Sequence, residues 1–184
     1  MNNHLKTSVL VLFLATSALC SLHAQTKTYQ RYPYGIGVQF SSAIWGLSYH
    51  QRSGENALQG VIGLIYDPDP LWSDSTLSYG VAVDYQRTLF GEDFNDYLGG
   101  QIYIATTLAH SGEILYNYST GLNEPFEAKI TMGLGFGVEI LFFQNFSLPV
   151  EIVYNFSYLP TAKEMGSAFA IDLIPKVSLR YRFK

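Results

Sequence analysis

The sequence predicts an all-β protein, an eight-stranded antiparallel up-and-down β-barrel that crosses a membrane. Three observations lead to this prediction: an N-terminal leader, a two-residue alternation of apolar and polar side chains, and a polar face of small residues with few charges. Alternation with period two is the pattern of a β-strand with two different faces. The 184 residues carry a net charge of −4 and only 14% charged residues, which disfavours a disordered chain or a nucleic-acid partner.

In the leader, the basic residue Lys6 precedes an apolar run over residues 9–19. Leu22-His23-Ala24 then provides the small residue that precedes a signal-peptidase cut. We therefore expect residues 1–24 to be a secretory signal peptide and residues 25–184 to be the barrel domain. A membrane anchor is disfavoured because a spanning helix needs ~20 apolar residues.

The alternation is clearest over residues 129–142, where large apolar side chains alternate mainly with glycine, threonine and glutamate. Residues 146–158 repeat the pattern, and Gln144-Asn145 is predicted to form the tight turn between the two strands. The remaining six predicted strands are residues 34–41, 44–52, 57–66, 76–89, 96–109 and 169–183. The predicted total is eight strands.

The predicted connections alternate in length. The short ones are residues 53–56, 91–95 and 144–145, and the long ones are residues 67–75, 110–128 and 160–168. Barrels of the outer membrane have short periplasmic turns and longer external loops. With a periplasmic N-terminus, the three long connections face the cell exterior, and the tight first hairpin around residues 41–43 is an exception.

Period two alone also fits a soluble ligand carrier with an apolar interior. The polar face separates the two architectures, because it carries residues such as Gly133, Gly135 and Ser147 rather than the many lysines and glutamates of a solvated surface. Small residues suit a narrow lumen, and the apolar face then contacts lipid. Aromatic residues are expected to form girdles at the two ends. One girdle comprises Tyr34, Phe90, Tyr97, Phe142, Phe146, Tyr181 and Phe183, and the other comprises Trp45, Tyr66, Tyr79, Tyr158 and Phe169.

The chain from about residue 34 to residue 184 resembles the small eight-stranded bacterial outer-membrane β-barrels of the OmpX and OmpA-barrel type. The resemblance rests on the leader, the strand number and the last strand, where Val177, Leu179, Tyr181 and Phe183 alternate with polar residues. It implies that these four residues form the signal read by the outer-membrane insertion machinery, although Lys184 follows the final aromatic residue. It also implies a monomer in the bacterial outer membrane, in contact with membrane lipid and lipopolysaccharide.

Alternation directs a cluster of charged side chains into the lumen. The cluster comprises Asp84, Glu139, Glu151, Lys176 and Arg180. The two glutamates are expected to lie near each other on adjacent strands, where paired carboxylates could serve acid–base chemistry. A charge-compensating plug is the preferred interpretation, because opposite walls meet in a narrow barrel and buried charges need partners. We predict that at least one glutamate pairs directly with Lys176 or Arg180.

Catalysis and cofactor binding have weak support in the sequence. The segment His110-Ser111-Gly112-Glu113 contains the residue types of a serine hydrolase, but neighbours on a strand point to opposite faces. His50 has Ser48 on its own face, and the glycines of residues 133–137 lie in mid-strand rather than in a phosphate-binding loop. Cys20 lies in the leader, so a cysteine-based metal site is not expected. No cofactor is predicted.

The function expected from these observations is that of a non-enzymatic outer-membrane protein. Its lumen is filled by side chains, and its external loops act in adhesion, binding or envelope integrity. No particular ligand of the loops is predicted from the sequence. The alternatives are a lipid-modifying hydrolase similar to lipid A deacylases and a soluble periplasmic barrel carrier.

Overall fold

The computed structural model describes residues 32–41, 44–64, 75–95, 97–117, 122–123, 126–160 and 169–184. The predicted signal peptide and most of the three predicted long connections lie outside these residues. The strands are β1 (Tyr34–Ser41), β2 (Trp45–Ser53), β3 (Asn56–Leu64), β4 (Ser75–Asn95), β5 (Leu98–Asn117), β6 (Leu122–Asn123), β7 (Glu127–Phe142), β8 (Phe146–Tyr158) and β9 (Phe169–Phe183).

Eight long strands form a closed antiparallel barrel, which confirms the predicted fold class. Consecutive long strands pair with each other, and β9 pairs with β1 from Tyr34 opposite Phe183 to Ser41 opposite Lys176. The two-residue strand β6 pairs with the distal end of β5, at Tyr116 and Asn117. Within the described residues there is no helix long and apolar enough to cross a membrane.

The strands β4 and β5 are longer than predicted. The predicted turn at residues 91–95 is wrong, because β4 continues to Asn95 and pairs Glu92 with Gly100 and Asp93 with Gly99. The predicted loop at residues 110–128 is also wrong at both ends, where β5 reaches Asn117 and β7 begins at Glu127. Polar and glycine residues at both ends of these strands suggest turns, but the ladder continues through them, and β5 pairs with β7 from Leu98 opposite Phe142 to Glu113 opposite Glu127.

The turn between β7 and β8 has three residues rather than the predicted two. Phe143 and Gln144 both have positive φ, 52° and 66°, a conformation that side chains other than glycine rarely adopt. The neighbouring hairpin stabilises it, since the Phe143 backbone N–H donates to the Tyr97 carbonyl at 2.9 Å. The Asn145 side-chain amide donates to the Arg182 carbonyl at 2.9 Å. The turn is thus fastened to strands on both sides.

The two faces of the wall invert the arrangement of a soluble protein. Large apolar side chains point outward, with Leu47 at 67%, Ile62 at 64% and Leu173 at 64% exposure. The buried side chains are mainly polar or charged, and among the largest fully buried ones are Arg180 and Arg182. The interior of this barrel is therefore a polar network, and its apolar surface lies outside.

Aromatic rings gather at both ends of the barrel. We call the end where β1 begins and β9 finishes the terminal end, and the opposite end the distal end. At the terminal end the rings of Tyr34 and Phe183 lie 6.0 Å apart. At the distal end Phe40 meets Trp45 edge-on at 5.2 Å. Further ring contacts join Phe146 to Tyr181 at the terminal end and Tyr158 to Phe169 at the distal end.

Candidate functional site: the lumen and its distal cavity

The five charged residues singled out in the sequence all lie inside the barrel. Asp84, Glu139 and Arg180 are fully buried, and Glu151 and Lys176 are 3% and 5% exposed. They divide into two groups along the barrel axis. The distal group contains Lys176, Asp84 and Glu151, and the terminal group contains Glu139 and Arg180.

In the distal group, Lys176 reaches across the lumen from β9 to β4. Its Nζ donates to Asp84 Oδ1 and to Thr107 Oγ1, each at 2.9 Å. Thr107 Oγ1 in turn donates to Asp84 Oδ1 at 2.6 Å. Glu151 Oε2 lies 3.9 Å from Lys176 Nζ, so this second ion pair lacks a hydrogen bond. The lysine is mainly the partner of Asp84.

Glu151 receives its hydrogen bonds from uncharged side chains. Tyr103 Oη and Gln86 Nε2 both donate to Glu151 Oε1, each at 2.7 Å. Gln86 lies on β4, across the barrel from Glu151 on β8, so this contact joins opposite walls. Such crossing bonds fill the middle of the lumen.

In the terminal group, Glu139 is the carboxylate that pairs with two arginines. Arg180 Nη1 donates to Glu139 Oε1 at 3.0 Å, and Arg182 Nη1 lies 3.7 Å from the same oxygen. Gln101 Nε2 donates to the other oxygen, Oε2. Arg180 also spans the lumen, since its Nη2 donates to Gln59 Oε1 on β3 at 2.7 Å. The Glu139–Arg180 pair is thus both ionic and hydrogen-bonded.

The two glutamates do not lie directly opposite each other. Glu139 pairs with Pro149 and Glu151 pairs with Gly137, so the carboxylates are offset along the β7–β8 ladder. Each carboxylate has its own hydrogen-bond donors: Glu139 is bonded to Arg180 and Gln101, and Glu151 is bonded to Tyr103 and Gln86. This arrangement gives no support to a pair of carboxylates that share a proton.

Other lumenal residues were not singled out in the sequence. Arg52 and Arg182 are 4% and 0% exposed, and Arg52 Nη1 donates to Thr88 Oγ1 at 2.7 Å. Thr88 Oγ1 donates to Gln101 Oε1 at 2.8 Å, which connects Arg52 to the terminal group. The alternation could have predicted their inward direction, because Arg52 is two residues from His50 on β2 and Arg182 is two residues from Arg180 on β9.

Glycines on the inner face make room for the long side chains. A Cβ atom on Gly35 would lie 2.8 Å from Arg180 Cδ, and one on Gly137 would lie 2.4 Å from Tyr103 Cζ. Either approach is closer than carbon atoms tolerate. Glycine is therefore needed at positions 35 and 137, because the side chains of Arg180 and Tyr103 lie directly over them on the inner face.

The candidate hydrolase residues do not form a hydrogen-bonded serine–histidine pair within the described residues. His110 lies on the outer side, where its Nδ1 is 3.4 Å from Tyr79 Oη, whereas Ser111 lines the lumen. His50 is fully buried, and within the described residues neither its ring nitrogens nor Ser48 Oγ has a hydrogen-bond partner. A serine nucleophile needs a histidine within hydrogen-bond reach. The described part of the chain also contains no cluster of metal-ligating side chains.

Beyond Lys176, the lumen widens into a cavity of about 320 Å³ at the distal end. Its wall combines hydroxyl, amide and charged groups with small apolar side chains. The residues that bear on its chemistry are Ile44, Ala82, Ala109, Lys129, Asn155 and Asp172. The lumen thus has a filled terminal half and an open distal part.

Comparison with known proteins identifies the fold. The sequence matches no family profile and no curated protein. The N-terminal β-barrel domain of Pseudomonas aeruginosa OprF is similar over 82% of this chain and 95% of that chain, with 13% identity and a TM-score of 0.53. Two other solved structures are each similar over 82% of this chain at 15% identity. Neisserial surface protein A is covered to 94% with a TM-score of 0.40. Ail, the attachment invasion locus protein of Yersinia pestis, is covered to 93% with a TM-score of 0.33.

At these identities the comparison informs on the fold alone. The likeness to the OprF domain, together with the closed eight-stranded barrel, confirms the resemblance seen in the sequence. The chain has the fold of the small eight-stranded outer-membrane barrels.

Proposed function

We propose that this protein is an integral outer-membrane barrel with a closed lumen. The observation that carries the proposal is the inverted wall, with large apolar side chains outside and charged side chains inside. In water such a surface would be strongly destabilising, because monomeric soluble proteins rarely expose contiguous apolar patches of more than a few hundred Å². In a bilayer the same surface contacts lipid tails, and the closed barrel satisfies its backbone hydrogen bonds.

The lumenal network supports a closed barrel rather than a pore. Both charge groups consist of side chains that are at most 5% exposed, and their hydrogen bonds join opposite walls. Opening a passage would require these bonds and ion pairs to break together. The protein accordingly acts at its surface, with the distal end toward the cell exterior.

The activity proposed for the distal end is non-enzymatic, in adhesion, binding or envelope integrity. The absence of a serine–histidine arrangement within the described residues supports this class over a lipid-modifying hydrolase. The proposed surroundings are membrane lipid and lipopolysaccharide, with the protein as a monomer.

Refolding and accessibility experiments test this proposal. The purified mature chain should insert into phospholipid vesicles and resist protease over its strands, and it should show no steady conductance in planar bilayers. Epitope tags inserted between Ser119 and Thr120, or after Lys163, should bind antibody on intact cells. Labelling only after permeabilisation would reverse the orientation, and a chain that stays soluble without detergent would refute membrane insertion. Release of fatty acid from lipopolysaccharide would favour the hydrolase.

We further propose that the last strand is read by the outer-membrane insertion machinery through Val177, Leu179, Tyr181 and Phe183. All four side chains lie on the outer face, where a partner could contact them before insertion. Phe183→Ala should reduce the amount of barrel assembled in cells, while the purified variant still refolds in detergent. An equal failure in both settings would mean that Phe183 acts through its ring contacts with Tyr34 and Tyr181 in the folded barrel.

A further inference from the structure

His50 is a buried titratable side chain that belongs to neither charge group of the lumen. It is fully buried on β2, and neither of its ring nitrogens has a hydrogen-bond partner among the described residues. A buried polar group without a partner costs free energy, so the folded barrel bears this cost at His50. Histidine is also the side chain whose charge ordinarily changes between pH 5 and 8.

The side chain of Arg180 passes across His50. Arg180 starts on β9, and its Cδ lies over Gly35 of β1, where a Cβ atom would be 2.8 Å away. It ends at β3, where Nη2 donates to Gln59 Oε1 at 2.7 Å. Gly35 and Gln59 are the residues directly opposite His50 in the β1–β2 and β2–β3 ladders. The guanidinium therefore reaches Gln59 by crossing the position of the imidazole ring.

The charges around His50 disfavour a further positive charge. The charged groups that act on its ring are Arg180, Arg182, Arg52 and Glu139. The residues opposite it on β1 and β3 do not titrate. Three cations and one carboxylate give a formal charge of +2, and Glu139 already accepts a hydrogen bond from Arg180. An imidazolium at this position would repel the arginines in surroundings of low dielectric constant.

Gln59 extends the effect of such a repulsion beyond His50. Its Oε1 accepts hydrogen bonds from Arg180 and, at 3.2 Å, from Gln86 Nε2. Gln86 Nε2 also donates to Glu151 Oε1 at 2.7 Å, so Gln59 joins the terminal group to the distal group. Displacement of Arg180 from Gln59 would break this junction.

We propose that His50 is an acid-sensitive switch, which keeps the terminal half of the lumen closed while its ring is neutral. Uptake of a proton by His50 drives Arg180 away from Gln59 and admits water to the terminal half. The open state takes up this proton because an imidazole in contact with water is protonated below about pH 6.5. Closure is therefore strongest above this pH and weakens as the pH falls below it. This switch goes beyond the proposed surface function and holds whatever the distal end binds.

Thiol labelling of the mature chain, refolded in phospholipid vesicles, tests this proposal. Cys20 of the leader is the one cysteine of the sequence, so Ser147→Cys gives the mature chain a single thiol. Ser147 is fully buried and lies directly opposite Arg180 in the β8–β9 ladder. The reagent is a pyridyl disulfide, and the urea-unfolded chain gives the reference rate at each pH. We expect the relative labelling rate to rise about tenfold from pH 7.5 to pH 5.5, as for an opening coupled to one ordinary imidazole proton.

Two further substitutions in the Ser147→Cys protein assign the pH effect. His50→Gln keeps a polar side chain that cannot become charged, so the relative rate should change less than about twofold between the two pH values. His110→Gln is the matched control, because His110 lies on the outer side next to Tyr79, and it should keep the tenfold rise. Urea unfolding of the unaltered protein gives a measurement without a thiol. Its unfolding equilibrium constant should rise up to about tenfold over the same pH interval, and His50→Gln should remove this rise.

Each of the following results would overturn the proposal. Equal relative labelling rates at the two pH values would show that acid does not open the terminal half. A tenfold rise that persists in His50→Gln would assign the opening to another group, and a rise that disappears in His110→Gln would assign it to the outer face. If a variant does not fold, the unaltered protein decides, since an unfolding constant that is equal at both pH values would exclude proton uptake by His50.

Discussion

Substitution of Glu139 by glutamine is the sharpest test of the lumenal network. The change keeps the shape of the side chain and removes its charge. Glu139 is fully buried, and it is the carboxylate in the ion pairs of both Arg180 and Arg182. We expect this substitution to destabilise the barrel more than any other single loss of charge in the lumen.

The expected magnitude follows from the contacts of Glu139. Removing one partner of a buried ion pair costs about 3 to 5 kcal/mol, because the remaining charge is left uncompensated. Glutamine still offers an acceptor oxygen to Arg180, so the free energy of unfolding should fall by about 3 kcal/mol, near the lower limit. Glu151→Gln should cost only about 1 kcal/mol, because its donors, Tyr103 and Gln86, are neutral and glutamine still offers them an acceptor oxygen.

Urea unfolding in phospholipid vesicles measures these differences. A double-mutant cycle of Glu139→Gln and Arg180→Gln should give a coupling free energy of about 1 to 3 kcal/mol, because the effects of substituting two partners of one ion pair are not additive. The corresponding cycle of Glu151 and Lys176 should give about 1 kcal/mol or less, because their charged atoms are 3.9 Å apart and not hydrogen-bonded. Glu92→Gln is the exposed control. Additive effects of Glu139 and Arg180, or equal losses for Glu139→Gln and Glu92→Gln, would refute the reasoning.

Two further predictions concern the wall. Phe136→Arg, in the middle of the apolar face, should lower the free energy of unfolding in vesicles by about 2 to 4 kcal/mol, and Phe94→Arg near the terminal end by at most about 1 kcal/mol. Equal losses at the two depths would contradict a lipid-facing surface. Gly135→Ala should cost about 1 to 3 kcal/mol by overpacking, since its Cβ would lie 2.2 Å from the Ile152 carbonyl oxygen. Gly60→Ala, which meets nothing within 4 Å, should be neutral or slightly stabilising in the same urea titration.

The fold could be predicted because the period-two pattern extends through nearly every strand. The boundaries of β1, β8 and β9 coincide with the predicted ones. The errors fall on β4 and β5, where polar and glycine residues interrupt the apolar alternation although the ladder continues through them. Val61 and Tyr103 are apolar or aromatic residues at inner-face positions of the alternation, and both are buried, with 4% and 0% exposure.

The two-residue alternation also predicts whether each side chain points into the lumen, but it does not predict which side chain it will contact there. The bonds from Lys176 to Asp84 and from Gln86 to Glu151 join strands far apart around the barrel. Which residues meet across a lumen depends on the stagger between strands and on the reach of long side chains. Neither quantity is contained in a local pattern. A three-residue turn at Phe143 also changes the register in which β7 and β8 face each other.

The sizes of the inner side chains explain why one half of the lumen is filled and the other is open. Toward the terminal end the wall presents arginines and glutamines, and Gly35 allows Arg180 to cross above the strand. Toward the distal end many of the inner residues are serine, threonine or alanine, which are too short to reach one another across the barrel. Among the described residues, Lys176 makes the hydrogen bond across the lumen nearest to the distal end, and the cavity begins where its ammonium group meets Asp84. The filled half stabilises the barrel against opening, and the shorter side chains leave the distal half open.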